Sequence, residues 1–312
     1  MASKVNAEID GHVVGLTNLE KPLFPSGFSK GETIWYYQEV ASALLPQLRD
    51  RCLTRVRFPD GTAGPGFYEK NAPSGTPGWI ELCRVRTSEG VVSYPVAGSR
   101  AALAWLANLA AIELHAPQWR TEAATIDGDA IVLSGDDEPR SSSLMVDLDA
   151  GAGIDMAGSA RGAILAATAL AEFGLEAQVK TSGGKGLQLS VAVDPTPASR
   201  IFAFARRFAR TLEQRWPSVF IASMAPQARG GLLFVDYAQN QAARNTVVAY
   251  SLRAGDEPRV ATPISWDEVA AAAAGASDLR FGPAEVLQRL ETIGDLWAPE
   301  VEPARVALPD LG

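Results

Sequence analysis

Cysteine is scarce: Cys52 and Cys83 are the only two in 312 residues. Two thiols in so long a chain make neither a disulfide framework nor a zinc site, and both are expected to be reduced packing residues. Long apolar runs are missing too. Without a stretch of about 18 apolar residues, no helix spans a membrane. Met1–Asp10 is mixed and polar with no signal-peptide core, so a cytosolic protein is expected. Positive charge is also short, with 28 Lys and Arg against 36 Asp and Glu, a net charge of −8. Such a chain does not grip nucleic acid by bulk charge. It needs a local track of Lys and Arg aimed at phosphates. What is plentiful is apolar surface: 47% of residues are hydrophobic. That suffices for about two lobes at roughly 150 residues each, or for one larger domain.

No internal repeat is evident. Ala270–Ala274 is an alanine run in an ordinary exposed helix, and the proline-bearing tail from Pro299 is expected to drape over the surface. In the first third, Lys30–Leu48 has helical spacing, with Ser29 as N-cap and Glu32 completing a capping box. Arg51–Phe58 and Val91–Tyr94 read as strands. Ser99–Leu114, rich in Ala and Leu, reads as a helix. The middle alternates more clearly. Leu144–Asp149, Ala177–Thr181, Leu187–Val193 and Leu232–Tyr237 are strands. Gly158–Phe173 and Pro197–Trp216 are helices, the second with arginines on one face. The order βαββαβ is the split βαβ arrangement shared by ferredoxin-like and RNA-recognition (RRM) modules. The fold class is therefore α+β, with the first of these strands central and the fourth beside it.

That order brings carboxylates together. Asp147 and Asp149, two apart on a strand, point to one face, while Leu148 points into the helix layer. Asp236, on the neighbouring strand, joins them. Three anions at one place repel unless cations lie among them. Hard oxygen ligands suit Mg²⁺ or Mn²⁺, and two such ions roughly 4 Å apart activate an attacking hydroxyl and steady a leaving phosphate. Alone, an Asp-x-Asp at a strand end is usually solvated or capping; the third Asp changes the weighting. The turn Ser182-Gly183-Gly184-Lys185-Gly186 offers backbone N–H groups and one ammonium to an anion. It is not a Walker A loop. Standing alone it would read as a glycine hairpin, but the fold places it beside the carboxylates.

These segments together resemble the polymerase domain of bacterial ligase D, a primase-polymerase of the archaeo-eukaryotic primase superfamily. The resemblance runs from about Leu16 to Pro299. Besides Met145–Asp149, Ser182–Leu187 and Phe234–Tyr237, it takes in Leu16–Lys21, Val56–Gly61, Phe67–Lys70, Ile112–His115, Tyr250–Arg253 and Thr262–Trp266. The chain resembles a free-standing, actinobacterial-type member, used in priming, gap filling or break repair. The resemblance implies a two-lobed domain: an N-terminal part for DNA and its 5′-phosphate over about 1–125, a catalytic palm over about 126–300 and a tail from 301 to 312.

It also implies residue roles. Asp147, Asp149 and Asp236 match the metal-binding aspartates, for two Mn²⁺ or Mg²⁺ ions. Ser182, Lys185 and Arg253 match residues that hold the incoming triphosphate, and His115 one placed near the same nucleotide. Arg244 sits where the family often has a basic residue. Phe67 and Tyr68 match an aromatic pair that stacks on bases regardless of sequence, flanked by Arg57 and Lys70 as phosphate contacts. Lys21 and Lys30 match lysines that hold the 5′-phosphate across a gap. The implied reaction adds nucleoside triphosphates, ribonucleotides by preference, to a primer 3′-hydroxyl on gapped or broken duplex DNA. A ligase and a Ku-type end binder are the implied protein partners, and the nucleoid the implied place.

Two departures stand out. Where the family reads Gly-Leu-His, this chain reads Gly186-Leu187-Gln188, and Gln hydrogen-bonds a phosphate but carries no charge. Between Met224 and Gly231, where lysines are usual, only Arg229 remains to contact DNA. These motivate one rival, a catalytically weak relative that binds DNA ends. A second rival is another two-metal phosphate enzyme on the same palm, such as a nucleotide cyclase; it would leave Lys21, Lys30 and Phe67–Lys70 without a purpose.

Overall fold

The computed structural model describes residues 4–225, 229–298 and 304–310. The first part of the chain forms β1 (Lys4–Ile9), β2 (His12–Thr17), α1 (Lys30–Glu39), α2 (Ala41–Leu48), β3 (Thr54–Arg57), β4 (Phe67–Glu69), β5 (Leu82–Thr87), β6 (Gly90–Pro95), α3 (Arg100–Asn108) and β7 (Ala111–Ala116). After the short strands β8 (Ile126–Asp127) and β9 (Ala130–Ile131) come β10 (Arg140–Ala150), α4 (Met156–Ala171), β11 (Ala177–Thr181), β12 (Leu187–Pro197), α5 (Ala198–Arg215), β13 (Phe220–Ile221) and β14 (Leu233–Val235). The remainder is β15 (Thr246–Val247), β16 (Leu252–Arg253), β17 (Arg259–Val260), β18 (Pro263–Ile264), α6 (Trp266–Ala273) and α7 (Pro283–Ile293). Together with the short sheets, this is a mixed α+β fold.

The palm is a six-stranded sheet in the order β13-β14-β10-β12-β11-β18. Its first strand, β10, lies inside, with the fourth, β14, antiparallel beside it, as the βαββαβ reading requires. Alternation along β10 sends Leu144, Val146 and Leu148 into a core shared with α4 and α5 and leaves Asp147 on the opposite face. Gly162 shows how close that packing is. A Cβ there would lie 2.1 Å from Leu233 Cδ1, so α4 rests on β14 only because position 162 has no side chain.

The other lobe surrounds a second core. Its sheet, β15-β7-β3-β4, packs with α1, α2 and α3, and the core also takes Val248, Ala249, Tyr250, Leu252, Val260 and Val286 from beyond the palm. The lobe is thus not confined to residues 1–125: the chain enters the palm and then returns.

Several local expectations change. Lys30–Leu48 is two helices rather than one, meeting at Val40. Pro46 lies inside the second helix, where it offers no N–H to the Ser42 carbonyl. Ser29 does cap the first, accepting from the Glu32 N–H at 3.2 Å while the Glu32 carboxylate accepts from the Ser29 N–H at 2.7 Å. The helix expected over Ser99–Leu114 ends at Asn108. Ala110 takes a positive φ of 56°, and the following residues form β7, buried along its whole length. A strand covered on both faces reads as a continuous apolar run, which periodicity cannot distinguish from a buried helix. The cysteines are not reduced. Cys52 and Cys83 are joined in a disulfide with Cα atoms 5.7 Å apart, inside a small cluster with Val85, Tyr94 and Trp119. A count of cysteines carries no information on which of them the fold brings within bonding range.

Gly162→Ala is expected to destabilise the protein by about 1–3 kcal/mol through overpacking. The urea midpoint should fall with an unchanged slope; an unchanged midpoint would mean that α4 can shift freely over β14.

Candidate active site

A cleft of about 390 Å³ lies between the palm sheet and the β7 sheet, within the range of small-molecule sites. From the palm, Asp147, Asp149, Ser182 and Gln188 line it; from the other lobe come His115, Tyr68 and Lys70; the returning chain supplies Arg244 and Arg253. Nine residues singled out from the sequence thus share one cavity wall. Lys185 is exposed at the tip of its turn and does not line the cleft among the described residues.

The carboxylates meet through the backbone. The Asp236 N–H donates to the Asp147 carbonyl at 2.8 Å, and Asp149 pairs with Phe234 in register. The Asp236 side chain caps a 3₁₀ turn, accepting from the Ala238 N–H at 3.0 Å and from Gln239 Nε2 at 2.9 Å. Asn240 locks that turn to the sheet. Its amide accepts from the Met145 N–H and donates to the Met145 carbonyl, both at 2.8 Å, continuing the ladder of β10 with a side chain. Neither Gln239 nor Asn240 was legible as a site residue, because amides after a strand are usually ordinary turn residues.

Burial, repulsion from Asp149 and repulsion from Asp236 push the Asp147 carboxyl up to about 8, against a hydrogen bond from Gln188 and the charge of Lys180. Asp149 is raised by burial and by Asp236, with Arg229 and Arg253 opposing. Asp147 Oδ1 is buried without a hydrogen-bond partner. An orphaned anionic oxygen among like charges fits a divalent cation. Among the described residues no three His, Cys, Asp or Glu close a metal cage by themselves. Such a cation would draw the rest of its shell from water and phosphate, as Mg²⁺ commonly does.

Glu113, absent from the sequence-derived site, organises the opposite wall. It is buried, and its carboxylate accepts from His115 Nε2 at 2.9 Å, Arg253 Nη1 at 2.9 Å and the Ala254 N–H at 3.0 Å. Burial pushes its pKa up, but these three donors outweigh burial and hold it below its usual value. Burial pushes the His115 pKa down despite Glu113, so the ring is neutral and donates through Nε2. Arg253 is further fixed by Gly183. With φ +84° and no side chain, Gly183 leaves the space that the Arg253 stem fills; a Cβ would sit 2.3 Å from Arg253 Cγ. The glycine turn therefore seats an arginine as well as presenting backbone N–H groups.

The aromatic pair divides. Tyr68 meets His115 edge-to-face at 5.8 Å and is 69% exposed, available to a planar ligand. Phe67, its neighbour on β4, faces the other way, 5.4 Å below the Arg57 guanidinium. Arg57 also pairs with Glu69 at 3.0 Å, which leaves it less charge to offer a phosphate than its sequence position implies. Arg229 lies over the Phe234 ring at 3.7 Å. Residues 226–228 of the Met224–Gly231 stretch lie outside the described residues.

Lys21 and Lys30 form a separate basic site. The Lys30 N–H donates to the Lys21 carbonyl at 2.8 Å, so the Pro25–Gly27 turn brings them together. Lys30 Nζ donates to Thr17 Oγ1 at 3.2 Å, and Lys21 Nζ to the Pro59 carbonyl at 2.6 Å. Burial, then Lys21 and Arg57, push the Lys30 pKa down to about 8. Crowded cations of this kind gain from an anion.

Glu113→Gln is expected to cost about 3 kcal/mol of stability at pH 7, since it leaves buried donors underpaired. The depressed carboxyl contributes stability above its ordinary pKa of 4.5 and loses it as pH falls through the lower folded value. The gap from the unsubstituted protein in urea titrations should therefore narrow only in acid. An equal gap at pH 7 and pH 3 would remove the charged network from the account.

Known proteins bear on this geometry. The family model described as LigD, primase-polymerase domain, matches residues 29–297. The multifunctional non-homologous end joining protein LigD of Mycolicibacterium smegmatis is 38% identical over 288 residues, covering 92% of this chain and 36% of the relative. The corresponding DNA repair protein of Mycobacterium tuberculosis is 37% identical over 285 residues, covering 91% and 36%. The polymerase domain from Mycobacterium tuberculosis ligase D, solved in complex with DNA, superposes with a TM-score of 0.82 at 35% identity, covering 91% of this chain and 96% of that one. The chain thus spans about a third of the length of these two curated relatives, 36% of each, and nearly the whole of the solved domain. From the family match over residues 29–297 and from these identities, the chain belongs to the LigD primase-polymerase domain family.

Proposed function

We propose that this chain is a template-dependent nucleotidyltransferase that extends a primer 3′-hydroxyl with nucleoside triphosphates on gapped or broken duplex DNA, releasing pyrophosphate. The single observation that carries the reading is that Asp147 and Asp149 line one cleft with Lys70, Arg244 and Arg253, with Asp236 close enough to repel both carboxylates. Divalent Mn²⁺ or Mg²⁺ ions, when bound, would lower the pKa of the primer hydroxyl and neutralise the leaving pyrophosphate. Asp147 and Asp149 would hold both ions, and Asp236 the one next to the primer.

The chain's own side chains do the rest. Arg253 offsets triphosphate charge from a fixed position, with Lys185 added from the mobile end of its side chain. Ser182 and Gln188 donate hydrogen bonds to phosphate oxygens, and neutral His115 offers a polar contact without charge. Arg244 and Lys70 close the basic rim, and Tyr68 stacks on a base. Lys21 and Lys30 hold the 5′-phosphate on the far side of the gap, and Arg229 a backbone phosphate near Asp149. In the same reading a ligase seals the nick that extension leaves, and a Ku-type end binder presents broken ends. Among the described residues no helix is long and apolar enough to cross a membrane, and the place of action is the nucleoid.

Primer extension on a gapped duplex, with each metal in turn, tests the reading. Asp147→Ala and Asp149→Ala should each abolish extension while duplex affinity stays within about threefold, because metal ligands act on the transition state. Robust extension by the double variant would sink the assignment.

The basic site has its own test. Binding should be tighter to a gap with a 5′-phosphate than with a 5′-hydroxyl, each charge-assisted contact contributing about 1.5–3 kcal/mol. Replacing Lys21 and Lys30 together with alanine should erase that preference at fixed salt. Equal affinity of the unsubstituted protein for both ends would remove the site.

A further inference from the structure

Lys180 has no place in the proposed reaction, yet it is a fully buried lysine, 2% exposed, one strand away from the cleft. Its position follows from register. Asp147 on β10 pairs with Gln188 on β12, and Gln188 pairs with Lys180 on β11. Directly paired residues of antiparallel strands project on the same face, so the three side chains form a row across the sheet. All are buried, at 5%, 4% and 2% exposure from Asp147 to Lys180.

The row has a chemical direction. Lys180 Nζ donates to Gln188 Oε1, and Gln188 lies directly opposite Asp147 across the β10–β12 pair. An amide has one acceptor end and one donor end. Because Lys180 takes the oxygen end of Gln188, the NH₂ end is left for the Asp147 side of the row. Gln188 lines the cleft with Asp147, whereas Lys180 opens on the opposite side of the row.

We propose that Lys180 is a positioning residue that sets the polarity of the Gln188 amide. It keeps an N–H donor aimed at Asp147 and at the place a triphosphate oxygen occupies. This inference rests on the nucleotide reading of the cleft; its first half, the control of the amide by Lys180, does not. A donor held by its neighbours before nucleotide arrives needs no reorientation on binding, which improves affinity without altering the chemical step.

Two measurements separate the halves. In the full chain without nucleotide, the Gln188 side-chain NH₂ group, assigned by its loss in Gln188→Ala, should be as rigid in nitrogen relaxation as the backbone of its strand. Lys180→Met should make it clearly more mobile. A mobile NH₂ group in the unsubstituted protein, or unchanged relaxation in Lys180→Met, would overturn the positioning role whatever the protein's activity. In primer extension, Lys180→Met should raise KM for the nucleotide about tenfold or more with kcat within about threefold. In a Gln188→Ala background the same substitution should change KM less than twofold, whereas a purely structural lysine would give the same loss in both backgrounds. Gln188→Glu gives a second arm should Lys180→Met not fold. It preserves the acceptor for Lys180 but replaces the donor with oxygen, and its KM should rise at least as much; an unchanged KM would overturn the inference. A protein that shows the NMR behaviour but extends no primer with either metal would refute the nucleotidyltransferase reading and leave the Lys180–Gln188 control standing.

Discussion

One buried carboxylate closes the first lobe on its returning chain and seats an arginine against the palm. Glu113 sits on a strand of the first lobe, and its partners Arg253 and Ala254 arrive 140 and 141 residues later. A buried charge with no partner would be very costly, so the returning chain must close on it. That closure fixes His115 as a neutral donor and Arg253 as a fixed cation, and the Gly183 turn receives the arginine's stem. The cleft's cationic wall is therefore a by-product of satisfying an anion. Its anionic wall has the reverse character. Asp147 and Asp149 are strained against each other and are brought together by backbone pairing that ignores their charge. The site juxtaposes a network satisfied by its own residues with one whose charges repel each other.

The palm could be read from the sequence because its elements are long and alternate cleanly. Leu144–Asp149 and Ala177–Thr181 each set mainly apolar side chains on one face and carboxylate, amide or lysine side chains on the other, and the ferredoxin-like order followed. The strand β7 was hidden because both of its faces are covered, so Ile112–His115 resembled the end of a helix. The disulfide could not be read at all, since it depends on two segments separated by 31 residues.

The site was legible where charge or glycine marks it and opaque where a plain residue does the work. Asp147, Asp149 and the Ser182–Gly186 turn stand out as types, whereas Arg253, Arg244 and His115 are marked only by the family resemblance. Glu113, Gln239 and Asn240 do not: a lone Glu in an apolar run, and amides after a strand, are common. Their importance lies in three-dimensional partners, and one sequence holds no record of those. Tyr68 and Phe67 show how strand geometry adds to a motif. Adjacent aromatics look like a pair, but a strand sends neighbours to opposite sides.

The return of the chain to its first lobe bears on inheritance. Val248, Leu252, Val260 and Val286 finish a core begun by residues before the palm. A crossover between two relatives inside the palm would join halves of two different cores, each adapted to a side chain set now missing. Shuffling is therefore tolerated only outside both cores, and the two lobes must pass between genes as an indivisible unit.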